Sequence, residues 1–269
     1  MGGAGCGAEV SQAPKLLRPR DAVFWEVSKI ASEWLRIMRI LKFGIEPYLV
    51  AMRAMMQAHS NVCGGGEEVL IVTEHFPVVT MGNREIVGDL VSSPELLATL
   101  GVEFVQTDRG GSVTVHEPGQ AVVYPIVRLD SAQLSVKRFV WILEEAMIRV
   151  ASRFGVEALR NPCNAGVWVG NNKIGAIGIR ISNHVSRHGL AFNVNNSLDT
   201  FRHVVPCGLR ERGVTSLERE LSKGLKNSKM TSLSSMNAQD TGALIAEEVV
   251  LLVEQERISR GGVVKNNIR

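Results

Sequence analysis

The chain holds little cysteine: Cys6, Cys63, Cys163 and Cys207 are the four among 269 residues, too few and too scattered for a disulfide scaffold. None forms a CxxC pair and no His/Cys/Asp spacing suits a metal, so neither a metal site nor a thioredoxin-like redox centre is expected. This usage suits a reducing compartment, where a thiol stays available. No apolar run approaches the roughly 20 residues that span a bilayer, and MGGAGCGAEV lacks the basic-then-apolar order of a secretory signal. The expectation is a soluble chain not exported by that route. Lys and Arg nowhere cluster into a nucleic-acid face; a formal charge of +3 leaves a mild positive field of the kind that helps recruit acidic protein partners. There is no GxxxxGK[ST] loop, the RGG lacks the GxGxxG order, and no internal repeat is visible, so phosphate cradling and solenoid folds are both set aside.

What is present is 45% apolar content, enough for a sizeable core. Residues 1–42 read as an N-terminal extension, glycine-rich and then basic, and 259–269 as a C-terminal tail around a domain of residues 43–258. Ile45, Leu49, Met52, Met56 and His59 draw an amphipathic helix with Pro47 in its first turn. EEVLIVTEH reads as a strand leading into a loop, FPVVTMGNR. In SSPELLATLG, Ser93 is the N-cap, Pro94 the first helical residue and Gly101 the stop, and VEFVQT is again a strand. Alternating valines on either side of Pro118-Gly119 suggest a hairpin-like pair around a type II turn. A long helical stripe from Val136 to Phe154 ends at Gly155. GVWVGNNKIGAIGIRI is a second hairpin reversing at Gly170-Asn171-Asn172, followed by the strand HGLAFNVN. Thr215 and Glu218 stand at capping-box spacing, and residues 241–256 form a closing helix. Strands mixed with helices on no strict alternation predict a single α/β domain with a mixed β-sheet flanked by helices.

Three glycine-rich patches sit on strand patterns: DRGGSVTVH (108–116), KIGAIG (173–178) and HGLAFN (188–193). Glycine inside a strand marks either close approach by a ligand or another backbone, or a bulge; together the patches suggest walls of one narrow pocket. Lys173 opens an otherwise small and apolar strand, where its ammonium either points into the pocket, partly desolvated, or snorkels into water. Cys207 lies between Pro206 and Gly208 in a tightly defined turn, a placement that fits display of a thiol as well as packing.

RGGSVTVHEPGQAVVYPI, then GVWV, KIGAIGIRI and HGLAFNVN, then PCGL and GVTSL, resemble the lipoyl(octanoyl) transferase family, whose members carry RGGxxTxHxPGQ, a lysine in KIxxxGxR and a cysteine in NPCG. EHFPVVTMGNR resembles the family's HxPVxTxG loop, and the likeness runs over roughly residues 43–255. The resemblance implies the fold shared with biotin and lipoate protein ligases. It implies Cys207 as acyl-accepting nucleophile and Lys173 as its acid/base partner and thiolate stabiliser. A substrate pocket is implied at Arg109, Gly110, Gly111, Ser112, Val113, Thr114, Val115 and His116, at Ala176, Ile177 and Gly178, and at Gly189, Leu190 and Ala191. The residue chemistry agrees: a thiolate beside an ammonium attacks a thioester to give an acyl-enzyme, dividing one transfer into two easier steps. The implied donor is octanoyl-acyl carrier protein, and the acceptor the specific lysine of apo lipoyl domains of 2-oxoacid dehydrogenases or of the glycine-cleavage H protein. Neither ATP nor a metal nor any other cofactor is expected, and bacterial cytoplasm is assumed, with an organelle matrix as the alternative. Two positions depart from the family pattern: Glu117 stands where a glycine is usual, and Val205 where Asn is common. His116 and His188 are read as hydrogen-bonded pocket or structural groups, since the lysine supplies the proton chemistry. The competing readings are an ATP-dependent lipoate- or biotin-type ligase, which would not need Cys207, and a non-catalytic acyl-carrier-binding protein.

Overall fold

The computed structural model describes residues 38–84, 86–162, 164–205, 213–224 and 237–260, all within one compact unit. The main sheet runs in the order β1 (Met38–Glu46), β2 (Glu68–His75), β6 (Gln120–Ile126), β10 (Val185–Asn193), β9 (Asn172–Ser182), β8 (Asn164–Val169), β7 (Leu159–Asn161). A short strand β11 (Gly213–Val214) pairs with the start of β9. β1 lies parallel to β2 and the succeeding neighbours are antiparallel, so the sheet is mixed. A second sheet of three strands has the order β4 (Glu103–Gln106), β3 (Val78–Met81), β5 (Val113–His116).

Side-chain alternation sorts the main sheet into two faces. Leu70 and Val72 of β2, Ala121 and Val123 of β6 and Phe192 of β10 pack under α3 (Val136–Arg153) and α5 (Ala238–Ser259). The intervening Val69, Ile71, Val122, Tyr124 and Ala191 face α1 (Tyr48–Cys63) through its Ala51, Met55 and Val62. The small sheet has its own apolar cluster, Val79, Val113, Val115 and Leu97 of α2 (Pro94–Thr99). Ser93 caps α2 by accepting the Leu96 N–H, as its sequence position predicts.

Several elements differ from the sequence reading. β1 takes in residues 38–42, assigned there to the extension, because Met38–Lys42 pair in register with Glu68–Val72. Ile45 belongs to this strand, and α1 starts only after Pro47. FPVVTMGNR, read as a loop, contains β3, where Val78, Val79 and Thr80 supply β-branched side chains to a ladder with β4 and β5. The Pro118-Gly119 turn has type II character, with Gly119 at φ +86° and the Gln120 N–H donating to the Glu117 carbonyl at 3.2 Å. Yet it closes no hairpin: β5 pairs with β3 while β6 pairs with β2 and β10, so the turn passes the chain from one sheet to the other. The hairpin of β8 and β9 is present, with Gly170 at φ +56° in its turn. α4 (Leu217–Gly224) is capped by the Ser216 hydroxyl on the Arg219 N–H, while Thr215 bonds Glu220 instead. The closing helix extends beyond 241–256 at both ends, its first turn capped by Asn237.

Gly242 places α5 against β2: a Cβ there would stand 2.7 Å from Val72 Cγ1. Gly242→Ala sets the better helix propensity of alanine, about 1 kcal/mol, against overpacking of about 1–3 kcal/mol on a stiff valine. The expected result is a net loss of stability in chemical denaturation; a gain would mean that the helix shifts freely on the sheet.

Candidate functional site

Between the α1 face of the main sheet and the small sheet lies a pocket with about 780 Å³ of space between atoms, open solvent at its mouth included. Arg109, Gly111, Ser112, Val113, Thr114 and His116 line one wall; Lys173, Ala176, Ile177 and Gly178 of β9 and Gly189, Leu190 and Ala191 of β10 line the other. Gly110 and Val115 do not line it. Val115 is fully buried in the small sheet's core, and Gly110 is where the loop touches β9, its N–H donating to the Ile179 carbonyl at 3.0 Å. A Cβ on Gly178 would meet the Gly110 carbonyl at 2.9 Å, and one on Gly189 would meet the Val123 carbonyl at 2.0 Å. At these positions glycine therefore serves close approach of another backbone. His188, Gly175 and Asn193, from the KIGAIG and HGLAFN patches, line it as well; Tyr48, Gln120, Val122, Tyr124, Phe201 and Val214 complete the lining and were not read from the sequence. On β6 the signal available was alternation, which puts Gln120, Val122 and Tyr124 on one face; Tyr48 and Phe201 had none, because distant segments bring them in.

The RGG loop is held from below. Arg109 is buried, donating from Nε to the Thr80 hydroxyl at 3.1 Å and from Nη2 to the Thr80 carbonyl at 2.6 Å. Backbone bonds from Gly82, Asn83 and Arg84 to Ser112, Arg109 and Gly111 seat the loop on the end of β3. Ser112 donates to the buried Asp89 carboxylate at 2.6 Å.

Lys173 is only 6% exposed and does not reach into water. It sits where β9 is flanked by Trp168 of β8 and Val214 of β11. Its Nζ donates to Asn164 Oδ1 at 2.7 Å and to the Ala165 carbonyl at 3.3 Å, and lies 4.9 Å over the Trp168 ring. Cys207, with Pro206 and Gly208, lies outside the described residues, as do Cys6 and Cys163. The chain on either side is described: the Val205 N–H donates to the Asp89 carbonyl at 2.7 Å, and after residue 212 Gly213 and Val214 pair with Asn172 and Lys173.

The pocket floor is polar without charge. Gln120 donates its amide to the Val115 carbonyl and to Asn193 Oδ1, so its oxygen accepts from His116 Nδ1 at 2.8 Å. The lone pair of His116 is then on Nε2. His75 donates from Nδ1 to the Glu46 carbonyl at 3.1 Å and accepts the Tyr124 hydroxyl proton at Nε2, 2.7 Å away. Tyr48 stacks on His116 with ring centroids 5.9 Å apart, and His75 meets His116 edge-on. Burial pushes His116 down to about 3, reinforced by His75, and burial pushes His75 down to about 4. The same desolvation raises Tyr48 to about 12 and holds Tyr124 well above the ordinary tyrosine value. At the mouth, Asp108 accepts from His188 Nε2 at 2.7 Å and pairs with Arg187 and Arg180. Burial opposes the Asp108 charge, but these donors win and hold it below the usual carboxylate range. His188 is lowered by burial against the pull of Asp108, and thus shares the neutral state of the floor histidines.

Glu117, the departure at the turn, is 4% exposed. Its Oε1 accepts from Asn196 Nδ2 at 2.9 Å and the Leu198 N–H at 2.7 Å, and its Oε2 from the Thr200 hydroxyl at 2.7 Å. Among the described residues no group of three or more His, Cys, Asp or Glu side chains could hold a metal. The arrangement is an apolar slot with a neutral polar floor and a cationic end, fit for an apolar chain carrying a polar head.

The two floor histidines also tie stability to pH. Between their folded values, about 4 and about 3, and the unfolded 6.5, the unfolded chain binds protons that the folded chain does not, so stability falls as pH drops from 6.5. Denaturation at pH 7 and pH 5 should show a loss on the order of 2 kcal/mol per histidine, and His75→Gln should flatten the dependence by about one histidine's share. An unchanged slope would mean that His75 titrates normally.

The model of the lipoyl protein ligase A/B catalytic domain matches residues 47–237. The octanoyltransferase of Maridesulfovibrio salexigens is 39% identical over 197 residues, 73% of this chain and 92% of that protein. The mitochondrial octanoyltransferase LIP2 of Arabidopsis thaliana is 39% identical over 187 residues, 69% of this chain and 80% of that one. Among solved structures, lipoate-protein ligase A bound with ATP superposes with a TM-score of 0.56 at 14% identity, covering 81% of this chain and 84% of that chain, a likeness of fold. The chain belongs to the lipoyl protein ligase A/B catalytic-domain family, among its octanoyltransferases, and is an acyltransferase.

Proposed function

We propose that the protein moves an octanoyl group from octanoyl-acyl carrier protein to the specific lysine of apo lipoyl domains, or of the glycine-cleavage H protein, through a thioester on Cys207. The Cys207 thiolate attacks the donor's thioester carbonyl; the carrier thiolate leaves and takes a proton from the Lys173 ammonium. The acceptor's amine then attacks the acyl-enzyme and returns a proton to Lys173 as the amide forms and Cys207 leaves as thiolate. Thiolate and ammonium are thereby restored, and the cycle needs neither ATP nor metal. The observation that carries this reading is the buried Lys173 at the end of an apolar slot, paired with the strand that follows the PCGL segment. The neutral floor supports an uncharged acyl chain over a phosphorylated ligand. For location, we propose cytoplasm or an organelle matrix; among the described residues no helix is long and apolar enough to cross a membrane.

The ligase-like fold keeps one rival in play, since it is shared with a structure that holds ATP. Intact-mass measurement of wild type and Cys207→Ser with octanoyl-acyl carrier protein and no ATP separates the two. Wild type should gain one hydroxylamine-sensitive octanoyl group that apo lipoyl domain removes, and Cys207→Ser should gain no such thioester. Transfer that appears only with ATP, and without an adduct, would favour the ligase. In single-turnover acylation, Lys173→Met should slow adduct formation by about 10²–10⁴-fold with its far-ultraviolet dichroism preserved; a loss under threefold would remove Lys173 from the proton chemistry.

A further inference from the structure

We infer that Glu117 is a positioning residue that holds Phe201 on the pocket wall and thereby sets which acyl chain the pocket accepts, an inference that rests on the acyl-chain reading above. A carboxylate removed from water is costly unless its oxygens are satisfied. Among the described residues no Lys or Arg pairs with Glu117; its carboxylate oxygens accept from one stretch, Asn196 to Thr200. Leu198, whose N–H it receives, is held at φ +66°, a conformation that a branched side chain seldom adopts and that persists only where its surroundings enforce it. The 3₁₀ turn Thr200–His203 begins at the residue whose hydroxyl Glu117 receives, and its second residue is Phe201. Phe201 packs on the small sheet's apolar cluster and lines the pocket.

The far end of the same stretch is tied elsewhere, by the Leu90–Val204 bridge, the Val205 N–H on the Asp89 carbonyl and the Ser92–His203 bond. At the near end Glu117 ties the backbone of Leu198 and the Thr200 hydroxyl, beside the Arg219 guanidinium on the Ser197 carbonyl and Asn196 Nδ2 on Asn193 Oδ1. Its own neighbours, His116 and Gln120, belong to the floor, so the turn registers Phe201 against the floor as well. Gly119 tightens the joint: its carbonyl accepts the Val194 and Asn195 N–H groups, and a Cβ there would meet Asn196 N at 2.7 Å. A carboxylate at this turn thus converts an adjustable wall into a fixed one.

The test measures binding without chemistry. In a Cys207→Ser background, affinities for hexanoyl, octanoyl, decanoyl and dodecanoyl thioesters of N-acetylcysteamine are determined by calorimetry. Glu117→Ala should lower the ratio of best to worst chain by about tenfold, a change of the size that misfit methylenes produce. Glu117→Gln, which keeps acceptors for Leu198 and Asn196, should recover at least half of that loss on a logarithmic scale. Thr200→Val, removing one bond only, should shift the ratio in the same direction by less, and keeps the proposal testable if Glu117→Ala does not fold. Phe201→Ala should flatten the ratio as Glu117→Ala does, and the double variant should be no flatter than either, because one residue acts through the other. An unchanged ratio in Glu117→Ala and Thr200→Val, additive effects in the double variant, or no chain-length dependence at all would overturn the inference. Failure of the acyl-enzyme reading shows separately, as a missing adduct on the wild-type protein, and leaves the binding ratios interpretable.

Discussion

The site depends on one backbone contact, Gly110 against Ile179 and Gly178. The Gly110 N–H reaches the Ile179 carbonyl, and the Gly110 carbonyl lies where any Cβ on residue 178 would stand. Two chains can approach this closely only if neither carries a side chain at the crossing. Through it the small sheet, with Arg109 locked on Thr80, is joined to β9 of the main sheet, and the slot is the space left between them. A larger residue at either position would separate the walls and detach the loop from the strand that carries Lys173.

The floor follows a different rule. Its histidines and tyrosines are buried together, and His116 bonds Gln120 through Nδ1 while His75 bonds Tyr124 and the Glu46 carbonyl. Desolvation drives the imidazoles down and the phenols up, so the whole group is uncharged at neutral pH. Besides the buried Arg109 held on Thr80 in one wall, the charged groups are Lys173 and, bonded to His188, the Asp108 cluster with Arg187 and Arg180.

Glu117 shows how a local departure is absorbed. In the sequence it looks like a carboxylate forced into a turn built for glycine. In the fold its side chain leaves the pocket side and satisfies Asn196, Leu198 and Thr200, so the turn keeps its type II form at Gly119 while gaining a tether.

Much of this was legible beforehand. EEVLIVTEH announced β2 as a strand, Ser93 and Pro94 announced α2, and the RGG, KIG and HGL patches marked strands that do meet at one slot. The type II turn at Pro118-Gly119 was readable from residue chemistry, but its partner strands were not, since which ladder β5 joins depends on β3, more than thirty residues earlier. Tyr48, Phe201 and the Glu117 tether escaped for the same reason, and Cys207 lies outside the described residues. The sequence by itself determined most of the elements and the glycines that permit the crossings, because backbone freedom and side-chain period are local properties. Only the tertiary structure decided that Lys173 is buried, that the histidines are neutral and that Glu117 faces Leu198, because burial and electrostatic environment are set by segments far apart in the chain.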